Sequence, residues 1–113
     1  MTESCIFCRI VSGDIPATLV AQNAVAIAFR DLTPQAPVHV LVVPRRHVVS
    51  LADADDASEL GAVMALAAEV ARLEGLAERG YRTVLNTGAD GGQSVSHLHA
   101  HVLGGRAMGW PPG

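Results

Sequence analysis

Three histidines near the end of the chain, His97, His99 and His101, alternate with single apolar residues. Successive side chains of a β-strand point to opposite faces, so a strand here carries all three imidazoles on one face. An imidazole can act as a nucleophile, a general acid or base, or a metal ligand. The spacing therefore predicts a strand with chemistry on one face and a hydrophobic core on the other.

A glycine-rich turn that contains Gly88, Gly91 and Gly92 precedes the histidines. Glycine lets backbone N–H groups approach an anion closely because it has no Cβ. Gln93 and Ser94 follow, and their side chains suit the oxygens of a phosphate better than a hydrolytic zinc site, which also needs a carboxylate or a further ligand. The combination favours a histidine nucleophile acting on a phosphate, with a metal-only triad as the alternative.

The segment His97–Leu103 resembles the histidine triad of the HIT superfamily. Gly91–Ser94 before it and Trp110–Gly113 after it are similar to the HINT branch of that superfamily, the histidine triad nucleotide-binding proteins. The loop Asp31–Pro37 shares the resemblance, which extends from Cys5 to Gly113 and so covers nearly the whole chain.

The resemblance implies a hydrolase that cleaves the P–N bond of purine nucleoside 5′-phosphoramidates without a catalytic cofactor. His99 is the predicted nucleophile and would form a nucleotidyl-histidine that water hydrolyses. Ser94 and His101 would contact the phosphate oxygens and the leaving group. His39 is expected beside His99 or His101, provided that its strand neighbours the triad strand. The alternatives are a hydrolase of dinucleoside polyphosphates and a nucleotide-binding regulator or scaffold with slow turnover.

Several segments are expected to bind the nucleotide. The resemblance implies that Asp31 holds the ribose hydroxyls, which fits the two hydrogen bonds that a carboxylate accepts from a cis-diol; a surface carboxylate in a turn is the alternative. Backbone N–H groups near Gly92 and Gln93 would stabilise the pentavalent phosphorus. Arg30 stands where many close relatives carry histidine. The predicted nucleotide-binding residues are Phe7, Phe29, Asp31, Leu32, Leu41, Asn86, Gly92, Gln93, Ser94, His99 and His101.

Cys5 and Cys8 have the spacing with which two thiolates hold one metal ion. A redox-active pair is one alternative, although no strand precedes it as in thioredoxins, and two inert buried thiols are another. With His47 and His97 the cysteines would form a Cys₂His₂ structural zinc site. The resemblance supports this site, because some HIT relatives, including the galactose-1-phosphate uridylyltransferases, carry zinc on matching positions.

The composition limits the classes of protein to which the chain can belong. With 113 residues it is expected to form one domain, residues 1–113, with an aliphatic core, since half the residues are hydrophobic and only 4% are aromatic. A net charge of −3 argues against nucleic acid as the main partner. No apolar run reaches the roughly 18 residues of a membrane span, and no signal peptide is recognisable, so we expect a cytoplasmic protein.

The residue pattern predicts an α+β fold with a five-stranded, mostly antiparallel sheet. A short N-terminal helix should carry Phe7, and a long helix should run from about Ala57 to Leu76 after an N-cap at Asp55 or Asp56. The predicted strands are Thr18–Gln22, Val25–Phe29, Val38–Val43, Tyr81–Asn86 and the triad strand. Two apolar stripes run along the long helix, Leu60, Val63, Met64, Ala67 and Ala71 in one and Leu66, Val70 and Leu73 in the other.

The second stripe predicts either a well-buried helix or a helix that meets a partner subunit. The resemblance implies a homodimer in which two sheets join into one of ten strands, with most contacts from the long helix and the fifth strand. It also implies that the tail around Trp110 lies near the active site of the partner subunit and shapes selectivity for the leaving group.

Overall fold

A computed structural model describes residues 4–113 and shows two α-helices and five strands. The strands form one antiparallel sheet in the order β1-β2-β3-β5-β4, which confirms the predicted α+β architecture. Neither α-helix in residues 4–113 combines the length and the apolar character that crossing a bilayer requires. In chain order the elements are α1 (Ile6–Ser12), β1 (Leu19–Gln22), β2 (Ala26–Arg30), β3 (Val38–Pro44), α2 (Ala57–Leu73), β4 (Arg82–Leu85) and β5 (Ala100–Gly104).

The sheet is covered on both faces. Val40 and Val42 of β3 pack with α2 on one face, whereas Leu41 and Val43 pack with Phe7 of α1 on the other. Almost every residue of β3 is therefore buried, as its continuous apolar sequence predicts. We call the two sides the α2 face and the α1 face.

Helix α2 begins at the N-cap Asp56, one of the two predicted positions. Its Oδ1 accepts hydrogen bonds from the N–H groups of Ser58 and Glu59, at 3.0 and 3.2 Å. The helix ends at Leu73, earlier than the predicted Leu76. Gly75 adopts a left-handed conformation with φ of 73°, which a residue without a Cβ tolerates and which stops the helix.

The division of α2 into two apolar stripes is wrong, because the helix buries a single face. Met64 and Leu73, one from each predicted stripe, remain 40% and 59% exposed. Helical neighbours three and four positions apart lie on one side, so the inner members of both stripes merge into one surface. The buried residues of α2 are Val63, Leu66, Ala67, Val70 and Ala71.

Strand β5 begins at Ala100, so the triad is not one continuous strand. The chain bends at residues 95–97, and the N–H of Leu98 bonds to the carbonyl of Val48 at 2.6 Å outside the sheet ladder. The predicted alternation nevertheless holds, because Leu98 and Ala100 are buried in the core with α2. The three imidazoles consequently lie towards the α1 face. Strand β4 is one residue shorter at each end than the predicted 81–86.

The turns and the tail complete the fold. The Asn23 side chain accepts hydrogen bonds from the N–H groups of Val25 and Ala26 and closes the predicted hairpin. Helix α1 ends at Ser12 and is capped by Gly13, whose φ is 88°. Trp110 is 83% exposed within its own chain.

Candidate active site

A cavity of about 260 Å³ opens on the α1 face of the sheet. We call it the main cavity. It is lined on one side by α1 and on the other by residues of β2, β3 and β5 and of the segment before β5. Of the predicted site residues, it is lined by Phe7, Phe29, Asp31, Leu32, Leu41, Ser94, His99 and His101.

One end of the main cavity is apolar. The rings of Phe7 and Phe29 meet edge to face with their centroids 5.5 Å apart, and Leu41 is buried beneath them. Leu32 is 91% exposed. Aromatic and aliphatic walls of this kind suit a flat, largely apolar ring.

Asp31, directly after β2, brings a carboxylate to the main cavity. Its Oδ1 accepts hydrogen bonds from the N–H of Thr33 at 2.8 Å and from the Thr33 hydroxyl at 3.2 Å, which makes a tight turn. Its Oδ2 lies 3.4 Å from Nε2 of His39. Asp31 is thus both a turn residue and a cavity residue, and its contact with the ribose stays a prediction.

His99 has a fixed tautomer. Its Nδ1 lies 2.7 Å from the carbonyl oxygen of His97, and because a carbonyl can only accept, this nitrogen carries the proton. The lone pair of the neutral ring is then on Nε2. The ring is buried against Phe7 and His101, at centroid distances of 5.1 and 4.9 Å. A buried imidazole with one nitrogen held by a carbonyl and the other unprotonated is equipped to act as a nucleophile.

A chain of hydrogen bonds also fixes the proton on His101. The N–H of Gln35 donates to Nδ1 of His39 at 3.0 Å, so the proton of neutral His39 is on Nε2. That nitrogen donates to Nδ1 of His101 at 2.9 Å, which leaves the His101 proton on Nε2. His39 therefore lies beside His101, one of its two expected neighbours.

Burial keeps these two imidazoles uncharged at neutral pH. Burial lowers the pKa of His101 to about 4, and His99 and His39 lower it further because a second positive charge nearby is unfavourable. Burial also lowers the pKa of His39, and Asp31 opposes that shift. In the free protein His101 thus offers a neutral N–H donor at Nε2.

The polar groups of the glycine-rich turn have partners within the protein. The N–H groups of Gly92 and Gln93 donate to carbonyls within the turn, both at 3.1 Å. The Gln93 side chain donates to the carbonyl of Val49 at 2.6 Å, and the Asn86 amide donates to the carbonyl of Gly91 at 2.6 Å. None of these three predicted residues lines the main cavity. They hold the turn that places Ser94, and a phosphate contact from them stays a prediction.

The structure also brings together four side chains at the start of α1: Cys5, Cys8, His47 and His97. Nδ1 of His97 lies 3.3 Å from Sγ of Cys5 and 3.5 Å from Sγ of Cys8, and Nδ1 of His47 lies 3.2 Å from Sγ of Cys8. All four donor atoms lie within 4.8 Å of one another. Tetrahedral zinc, with bonds of about 2.0–2.3 Å to nitrogen and sulfur, separates its ligand atoms by about 3.3–3.8 Å, so the donor set fits this ion.

His97 has the tautomer that a metal ligand needs. Its Nε2 lies 2.9 Å from the carbonyl oxygen of Pro44 and must donate to it, so the lone pair of the neutral ring is on Nδ1, towards the two sulfurs. Burial, together with Cys5, raises the pKa of the Cys8 thiol to about 11. A reactive redox pair needs a lowered thiol pKa, so the redox alternative is disfavoured.

The three triad histidines do not share one cation site in residues 4–113. His97 belongs to the group with the cysteines, and His101 belongs to a second close group with Asp31 and His39, whereas His99 belongs to neither. Hydrogen bonding accounts for the second group. This division disfavours the metal-only triad.

Sequence reasoning missed three features of the site. Gln35 acts through its backbone, and Val95 lines the main cavity between Ser94 and the triad; no pattern indicates either role. Arg30 lies at the cavity, but its guanidinium makes two hydrogen bonds to Glu74 beyond α2, at 2.7 and 3.0 Å. Strand alternation could have indicated that the Arg30 side chain points towards α2, since Phe29 faces the cavity and adjacent side chains of a strand point to opposite faces.

Comparison with known proteins agrees with this geometry. The HIT domain family matches residues 12–108. The purine nucleoside phosphoramidase of Escherichia coli K12 is 43% identical over 111 residues, covering 96% of this chain and 93% of that protein. An uncharacterized HIT-like protein of Synechococcus elongatus is 49% identical over the full length of both chains. The crystal structure of a HIT family hydrolase from Legionella pneumophila superposes with a TM-score of 0.93 at 46% identity, covering 97% of this chain and 100% of the other.

Proposed function

This chain belongs to the HIT domain family and is a hydrolase, and we propose that it cleaves the P–N bond of purine nucleoside 5′-phosphoramidates. The observation that carries the proposal is His99, whose lone pair on Nε2 lies at a cavity with an aromatic far end. The relative from Escherichia coli supplies the substrate class through its name. The purine would lie at the end of the main cavity that Phe7 and Phe29 line, and the ribose beside Asp31.

In the first proposed step, Nε2 of His99 attacks the α-phosphorus. A new N–P bond forms while the bond to the amine breaks, and the departing nitrogen takes the electron pair. The His97 carbonyl stabilises the growing positive charge on the His99 ring through the Nδ1 proton. Water then attacks the nucleotidyl-histidine and releases the mononucleotide and free His99.

The amine must gain a proton as it leaves. His101 is neutral in the free protein, but a bound phosphate places negative charge beside it and raises its pKa, so the bound state can carry a proton there. We propose that the Ser94 hydroxyl relays this proton. It donates its own proton to the leaving amine and receives the proton of His101. General acid catalysis of this kind contributes about 10²–10⁴-fold.

The charge of the main cavity favours this substrate over dinucleoside polyphosphates. Among the described residues that line it, the only cationic side chain belongs to Arg30, and Glu74 holds that guanidinium. A polyphosphate brings several negative charges that proteins normally neutralise with arginine, lysine or Mg²⁺. A phosphoramidate brings about one, which neutral hydrogen-bond donors can accommodate.

We also propose that Cys5, Cys8, His47 and His97 hold a structural zinc ion. The four ligands would close its coordination shell, so the ion would tie α1 to the sheet and would not activate water. The two cysteines are free thiols, which suits a reducing, cytoplasmic location.

We also propose a homodimer, with β4 instead of the expected β5 at the contact. Strand β5 is paired on both sides, with β3 and β4, so it cannot extend the sheet into a second subunit. The free edges are β1 and β4. We propose that β4 meets its copy, because β4 follows the long helix along the chain and the resemblance places that helix at the contact, where α2 leaves Met64 and Leu73 exposed.

The test compares substrates and one variant. Adenosine 5′-phosphoramidate carrying a fluorescent amine is assayed beside diadenosine polyphosphates without added metal, with wild type and with His99→Asn. Wild type should release the amine, and acid-quenched protein should carry adenylate on His99. Faster cleavage of the polyphosphate supports the second hydrolase instead, and tight nucleotide binding without turnover supports a regulator.

A further inference from the structure

A second cavity of about 440 Å³ adjoins the main one. Three residues, Ile6, Ser94 and Val95, line both cavities, so the two are neighbours beside Ser94. The residues that line the second cavity and not the main one are Ser4, Cys5, His47 and Ser96, whereas His99 lines only the main cavity. We call this space the side cavity.

We infer that the side cavity receives the amine leaving group and that Ser96 determines which amines fit. This inference rests on the proposed phosphoramidase reaction. Phosphoryl transfer requires the attacking and leaving atoms to lie roughly in line on opposite sides of phosphorus. A phosphorus held between His99 and Ser94 therefore directs its leaving nitrogen away from His99. The side cavity touches Ser94 and not His99, so it lies on that side.

The lining of the side cavity indicates the class of amine. Its lining includes the serines Ser94 and Ser96, the aliphatic side chains of Ile6 and Val95, and two of the proposed zinc ligands, Cys5 and His47. Among residues 4–113, no carboxylate, guanidinium or ammonium group lines it. Burying a charge without a partner is unfavourable, so neither a cationic nor a polyanionic leaving group is matched there. The geometry points to an uncharged amine of mixed polarity, such as an amino acid amide or ester.

Ser96 offers a clean test because it lines the side cavity and lies outside the main one. In Ser96→Phe an aromatic ring replaces an exposed hydroxymethyl group and fills part of the space. We measure kcat/KM for two adenosine phosphoramidates, one that releases ammonia and one that releases a bulky aromatic amino acid amide. The substitution should lower kcat/KM about tenfold for the bulky amide, equivalent to about 1.4 kcal/mol, and less than about twofold for the ammonia conjugate.

The controls separate this inference from the function on which it rests. Ser12→Phe alters an exposed serine that lines neither cavity, and it should leave both substrates unaffected. Mononucleotide affinity reports folding, and Ser96→Val replaces Ser96→Phe if that affinity is lost. Equal effects on both substrates, or no effect on either, overturn the inference. Wild type that cleaves neither substrate overturns the proposed function instead.

A second measurement tests the chemical class with wild type and Ser96→Phe. Conjugates of one size carry either an uncharged amide or a cationic group on the amine. The uncharged conjugate should have the higher kcat/KM, and the difference should shrink in Ser96→Phe, which excludes both from the side cavity. A preference for the cationic conjugate contradicts the assignment.

Discussion

The stability of the protein should depend on pH through His101. Its pKa is about 4 in the folded protein, compared with an ordinary value of 6.5. Between these values the unfolded chain binds the proton and the folded chain does not, so acid favours unfolding. The stabilisation is complete above about pH 6.5 and is lost as the pH falls towards about 4.

The expected size follows from the same two values. Lowering the pH from about 7.5 to about 5 costs about 2 kcal/mol of unfolding free energy if the whole shift counts. His101 is only half-buried at the main cavity, so solvent screening reduces this figure, and we expect about 1–2 kcal/mol.

The assay is urea denaturation of wild type and His101→Asn at several pH values. Asparagine cannot titrate, but its side-chain oxygen can accept the hydrogen bond from His39. His39 and His97 also have lowered pKa values and contribute to both proteins, so the difference between the two curves reports His101. Parallel pH profiles would show that His101 is not held neutral, and the proposed proton chain would then be wrong.

Four further outcomes are expected. His99→Asn should abolish turnover and still bind mononucleotide, measured by calorimetry. Chelation or Cys8→Ser should lower the melting temperature and leave chemistry at His99 largely intact; zinc at about 100 times its Kd stabilises a fold by about 2.7 kcal/mol. Deleting Gly109–Gly113 should change the preference among amines more than mononucleotide affinity. Gly104→Ala should cost about 1–3 kcal/mol in urea denaturation, because its Cβ would lie 2.6 Å from Cδ1 of Leu76.

Each of these has a contradicting result. Wild-type kcat in His99→Asn, or adenylate on His101, removes the nucleophile assignment. Protein purified without a histidine tag should contain about one zinc per chain, and freely titratable thiols with no zinc remove the metal site. A monomer by light scattering, or unchanged selectivity, counts against the role of the tail. Gly61→Ala is the matched control for Gly104→Ala, since its Cβ meets nothing within 4 Å.

The faces of the sheet could be predicted because side-chain alternation depends only on local sequence. The residue at which β5 begins could not be predicted, because it depends on which backbone groups of the neighbouring strand β3 are available for pairing. β3 ends at Pro44, which has no N–H for the ladder, and pairing with β5 begins at Val42 opposite Ala100. The chain before Ala100 therefore bends, although His97 and His99 keep the predicted side.

The candidate site, like the fold, could be predicted only in part. The types of residue around His99 indicated phosphate chemistry, but the N–H of Gln35 that sets the proton on His101 leaves no trace in sequence. The predicted N–H donors of Gly92 and Gln93 have partners inside the turn, and backbone partners depend on the conformation of the whole turn. His47 is far from the cysteines in sequence, so the resemblance, rather than spacing, joined it to the metal group.

The separation of the sheet into an α2 face and an α1 face determines which genetic changes the protein can tolerate. Conservative substitutions in the core of the α2 face should alter stability without changing a residue of the main cavity. Substitutions of Phe7, Phe29 or Leu41 should alter both stability and selectivity, because these residues line the cavity and belong to the core of the α1 face. An insertion of one residue between His99 and Ala100 is different. It would turn the upstream imidazoles into the aliphatic core and bring Leu98 towards the main cavity. Libraries that vary this protein should therefore keep the length of the segment 97–103 constant while its composition changes.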